Sequence, residues 1–61
     1  MENEVVTIMK NMEAQFAVAC DDAEKFAEGN NSAGTRVRKA MQNIKNLAQQ
    51  VRLEIQAQKN A

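Results

Sequence analysis

Apolar residues recur along this chain at alternating steps of four and three. Val5, Met9, Met12, Phe16, Ala19, Ala23 and Phe26 keep that rhythm in the first half, and Val37, Met41, Ile44, Ala48, Val51 and Ile55 keep it in the second. The spacing brings each set to one face of an α-helix, at positions a and d of a heptad, and no period-two alternation competes with it. Ile8, Ala40 and Leu47 fall at position g and widen the stripe. A three-in-seven apolar face suits a helical bundle better than a strict two-stranded seam. The chain has no proline, and both glycines, Gly29 and Gly34, lie between the two periodic runs.

The pattern predicts a single helical-hairpin domain over residues 1–61, with helix 1 at about 3–28, a turn at 29–32 and helix 2 at about 33–58. Gly29 suits the left-handed residue that ends a helix. Ser32 is the best N-cap for helix 2, with Thr35 as the alternative. So short a connection forces the helices antiparallel. Pairing the stripes puts Phe26 near Val37, Ala19 near Ile44, Met12 near Val51 and Met9 near Ile55. A lone hairpin leaves half of each stripe in water, and 61 residues with one cysteine provide no internal disulfide to compensate. The expected fold class is therefore all-α: an antiparallel, coiled-coil-type two-helix hairpin that dimerises into a four-helix bundle. The residues listed above at a and d, together with Leu47, are its expected core and dimer face.

The residue types argue against catalysis. There is no histidine and no tyrosine, and no glycine-rich phosphate loop. Asp21 and Asp22 diverge by about 100° on a helix and read as a solvated acidic face. Cys20 falls at position e and reads as a small packing residue in a reducing compartment. No cofactor, metal or small-molecule substrate is expected. Nor is a secretory signal or a membrane span, so the expected location is cytoplasmic.

Charge is the informative remainder. Residues 1–31 carry Glu2, Glu4, Glu13, Asp21, Asp22, Glu24 and Glu28 against Lys10 and Lys25, a net −5. Residues 32–61 carry Arg36, Arg38, Lys39, Lys45, Arg52 and Lys59 against Glu54, a net +5. Arg36, Arg38 and Lys39 fall in the first turns of helix 2, where the helix dipole disfavours cations. With Gly34 allowing close approach and Thr35 adding a hydroxyl, this helix start reads as a phosphate site. Arg38, Lys45, Arg52 and Lys59 repeat every seven residues at position e and form a basic stripe that matches a line of backbone phosphates. The alternative for the stripe is pairing with acids of neighbouring helices, such as Glu13 with Arg52.

The run Glu28-Gly-Asn-Asn-Ser-Ala-Gly-Thr-Arg-Val-Arg-Lys-Ala40 resembles the Gly-Asn-Lys-Ala-Ala-Gly-Thr-Arg-x-Arg-Lys signature of the bacterial linker-histone-like proteins, the chlamydial histone-like nucleoproteins and their short relatives. The resemblance covers roughly residues 24–58. Asn31 stands where the signature often has lysine, and the long basic tail of the chlamydial members does not follow Lys59. The resemblance implies a nucleoid-associated protein that binds double-stranded DNA and organises the chromosome, with Gly34, Thr35, Arg36, Arg38 and Lys39 at the signature positions. The competing expectation is a helical protein-interaction or oligomerisation module that binds no nucleic acid.

Overall fold

A computed structural model describes residues 3–60. Met1, Glu2 and Ala61, the ends of the expected domain, lie outside them. The described residues form two helices, α1 (Glu4–Ala27) and α2 (Asn31–Lys59), folded back on each other. Asn3 caps α1, its side chain accepting from the Val5 N–H.

The turn is three residues long, Glu28-Gly29-Asn30, and closes by backbone bonds. Gly29 has φ +107°, a conformation that side-chain-bearing residues avoid. Its N–H donates to the Phe26 carbonyl (3.0 Å), and the Asn30 N–H reaches back to the Lys25 carbonyl (3.0 Å). This nested pair satisfies the last carbonyls of α1. Asn30 also caps α2, its side chain accepting from the Ala33 N–H at 3.1 Å. The cap is thus Asn30 rather than Ser32 or Thr35, and α2 begins two residues earlier than expected. Asn, Asn and Ser follow one another here, and all three types cap well. The turn geometry decides between them, because only Asn30 can end one helix and start the next.

The helices also meet in a different register from the one the stripes suggest. Phe26 lies against Gly34, three residues before Val37. At the open end, the side-chain amides of Asn3 and Gln58 bond reciprocally at 2.8 and 3.0 Å. The short turn draws α2 back along α1, so facing residues have numbers that sum to about 60.

The seam itself runs along positions d and g. Buried or half-buried residues are Val5, Ile8, Met12, Gln15, Ala19 and Asp22 on α1, and Ala33, Val37, Ala40, Ile44, Leu47, Val51 and Glu54 on α2. Gly34 and Ala48, at position a, are also half-buried. The other a residues, Met9, Phe16, Ala23, Met41 and Ile55, are exposed, as is Phe26. The Cα trace measures 49 × 19 × 11 Å, a plate one helix thick. Among the described residues no large side chain is fully buried, and the buried apolar residues are Ile8, Ala19 and Ala33.

Candidate nucleic-acid interface

The three signature cations lie farther into α2 than the sequence suggests. With Asn30 as cap, Arg36 is six residues past it and Lys39 nine, roughly 9 and 13 Å along the axis. The dipole acts mainly on the first turn. The start of α2 is also largely satisfied internally. The Asn30 N–H bonds to Lys25 and the Ala33 N–H to the Asn30 side chain, leaving at most the N–H groups of Asn31 and Ser32. The helix start therefore offers two N–H groups, with the three cations set farther along α2.

Gly34 is accounted for by packing. A Cβ built there would lie 2.6 Å from Phe26 Cδ1 and 2.8 Å from Cε1. The missing side chain is the space the Phe26 ring occupies. Thr35 is exposed on the outer side of α2, away from the seam.

Arg36 and Arg38 diverge by about 200° around the helix. Arg36 turns to one flank with Lys39, where both line a shallow groove with Ala14, Val18 and Asp22. There Arg36 Nε donates to Asp22 Oδ1 at 3.0 Å. The Asp22 side chain is 11% exposed and that of Arg36 50%. Asp22 is thus a seam residue with a fixed counterion, which corrects its reading as part of a solvated acidic face. The sequence held one signal for it: position g, the row it shares with Ile8, Ala40 and Leu47.

Arg38 faces the opposite flank and lines a hollow with Ala23, Phe26, Gly34 and Val37. Lys45 and Arg52 follow it along α2 around Ala48, and Lys59 continues the row by its heptad position. From Arg38 to Lys59 is 21 residues, or about 32 Å. Arg38, Lys39, Lys45, Arg52 and Lys59 are exposed and make no ion pair among the described residues. No ion pair joins Glu13 to Arg52. Cys20 is exposed beside the apolar flank. Among the described residues no cluster of metal-ligating side chains forms, and no helix is long and apolar enough to cross a membrane.

Two arrangements of charge therefore coexist. One cation is committed to holding the helices together, and five project into solvent from α2. Four of the five form a row next to the exposed apolar flank.

No curated protein and no solved structure matches the chain. A family model does, that of histone H1-like protein Hc1, over residues 7–61. The match takes in both helices almost whole, together with the turn and all six cations of α2, and the chain belongs to the histone H1-like Hc1 family.

Proposed function

We propose that this chain is a small nucleoid-associated, histone-like protein that binds the backbone of double-stranded DNA without sequence preference. The observation that carries the reading is the row Arg38, Lys45, Arg52 and Lys59: exposed, unpaired, and on a chain of a histone H1-like family. Its length of about 32 Å is close to one duplex turn of about 34 Å, so the row can follow a phosphate strand or span a groove. Lys39 adds a fifth free cation on the other flank. No aromatic side chain alternates with these cations, which favours backbone contact over base stacking. Arg36 contributes through Asp22 and the fold.

The exposed apolar flank favours a second component of the same function, self-association. Met9, Phe16, Phe26, Met41 and Ile55 stay in water on a lone hairpin, and two hairpins packed by these faces make the four-helix bundle. The protein then acts in the nucleoid as a homodimer.

The test is binding of duplexes of unrelated sequence, followed by fluorescence anisotropy across a salt series. Four to five phosphate contacts per chain give a slope of log affinity against log salt of about −4 per chain and about −8 for a dimer engaging both. No binding at about 50 mM salt, or binding with a flat salt dependence, refutes the reading. In that case the apolar face would remain as a protein-docking surface.

A further inference from the structure

We infer that a second copy of this hairpin covers the apolar face with its α1 lying over α2 and its turn at the same end, so that the dimer carries its basic rows on opposite edges and holds two duplexes at once. The bridging half rests on the DNA reading above; the arrangement of the two hairpins does not.

The face is defined by what the seam leaves out. Among the described residues eight large hydrophobic ones are exposed. Six of them, Val6, Met9, Phe16, Phe26, Met41 and Ile55, fall on the a side of the hairpin. Val18 and Leu53 fall on the other, which carries Arg36 and Lys39. The hairpin exposes 4834 Å², against about 4,000 Å² for a compact monomer of 61 residues. The excess, on the order of 800–900 Å², matches the area each partner of a standard stable interface buries. A second copy with the same excess is a sufficient occupant.

Two plates can stack by this face with two-fold symmetry in two ways. With the axis across the helices, α2 lies on α2 of the second copy and the turns sit at opposite ends. Both rows then share one edge, which gathers eight cations with no acid among them. With the axis along the helices, α2 lies on α1 of the second copy and the turns sit together. A rotation about that axis changes no heights, so the register within the hairpin also applies between copies. Numbers summing to about 60 bring Arg38 within two residues, or about 3 Å, of the height of Glu24 of the second copy, and Lys45 equally near the height of its Glu13. Glu13 borders this face, where it lines a hollow with Met9 and Phe16, and Glu24 lies farther out on the same side of α1 at position b. Like charges in contact oppose the first arrangement, and opposite charges support the second. On the same count no acid among the described residues of the second copy comes level with Arg52 or Lys59, and Lys10 stands level with Arg52. The two edges lie about 20 Å apart, two helix diameters, and face away from each other. A single duplex cannot reach both without wrapping, whereas two duplexes can.

The experiment uses the whole chain without DNA. A spin label at Ser32→Cys in a Cys20→Ser background reports the separation of the two turns. Adjacent turns give about 20–30 Å, whereas opposite turns are separated by at least the length of α1, about 36 Å. Lys45→Glu separates the arrangements by sign. It faces Glu13 in the inferred dimer and weakens association about three- to tenfold at low salt, but it would relieve repulsion in the alternative and strengthen association. A distance beyond 36 Å, a monomer at every concentration, or tighter association of Lys45→Glu overturns the pairing. With DNA, protein-loaded duplex on beads is expected to capture a second, labelled duplex. A dimer with adjacent turns that binds one duplex and captures no second overturns the bridging. Intact pairing with no duplex binding at all removes the DNA reading instead.

Discussion

Arg36 and Arg38 differ by two positions in sequence and by half a turn in space, and their substitutions should separate cleanly. Arg36→Ala leaves Asp22, a side chain 11% exposed, without the donor it holds at 3.0 Å. A carboxylate so placed loses most of its hydration and gains nothing back, so the variant should lose about 1–3 kcal/mol of stability. Arg38→Ala removes an exposed cation with no ion pair, and its stability should stay within about 0.5 kcal/mol of the parent. DNA binding should respond the other way at that position, with affinity reduced for every sequence and the salt slope smaller by about 1 per chain. Urea unfolding measures the first effect and anisotropy titration the second. Equal destabilisation by the two variants would mean that the Asp22–Arg36 bond is not what fixes this end of the hairpin.

At the scale of elements, the turn carries the most specific local chemistry. Three residues end α1 and begin α2, and each has a separate task. Glu28 closes the last turn of α1, Gly29 reverses the chain at φ +107°, and Asn30 bonds backward by its N–H and forward by its side chain. Gly29→Ala should cost about 1–2 kcal/mol, since an L side chain is strained at that φ. Asn30→Ala should cost about 1 kcal/mol through the lost cap. Thermal unfolding checks both, and Ser32→Ala is the control, expected to be near neutral because Ser32 caps nothing. The helices and Gly29 were legible in the sequence because helical periodicity and a glycine between two periodic runs are local signals. The seam was less so. Positions a, d and g are all apolar over much of the chain, and a two-helix hairpin can use d with either neighbour. What selects d and g is the register set by the three-residue turn, which turns Ala33 and Asp22 inward and leaves Met9 and Phe16 outside. Arg36, Arg38 and Lys39 look like one cluster in sequence for the same reason: adjacency in the chain hides their division between two flanks of the helix.

The molecule is a plate 11 Å thick by its Cα atoms, with no large side chain fully buried among the described residues. Ordering a residue costs about 1–2 kcal/mol of backbone entropy, and a fully buried large apolar side chain returns about 1.5–3 kcal/mol. A hairpin whose buried apolar residues are Ile8, Ala19 and Ala33 gains little of that return alone. Stability that depends on a second copy has a definite signature, because dissociation is coupled to unfolding and the melting temperature rises with protein concentration. Phe16 tests the source of that dependence. Its side chain is 55% exposed on the hairpin, so in a protein that stays monomeric Phe16→Glu is a surface change worth about 0.5 kcal/mol or less. In a bundle the same change places a carboxylate in the centre of the dimer face. Two such groups, related by the two-fold axis, would then have to lose water without a counterion. The expected result is loss of the dimer in sedimentation equilibrium, a melting temperature lower by ten degrees or more, and no remaining dependence on concentration. Glu13→Lys would lie at the margin of that face and should shift association only severalfold. If Phe16→Glu melts like the parent at every concentration, the hairpin is stable as a monomer and its apolar face is available to a different protein.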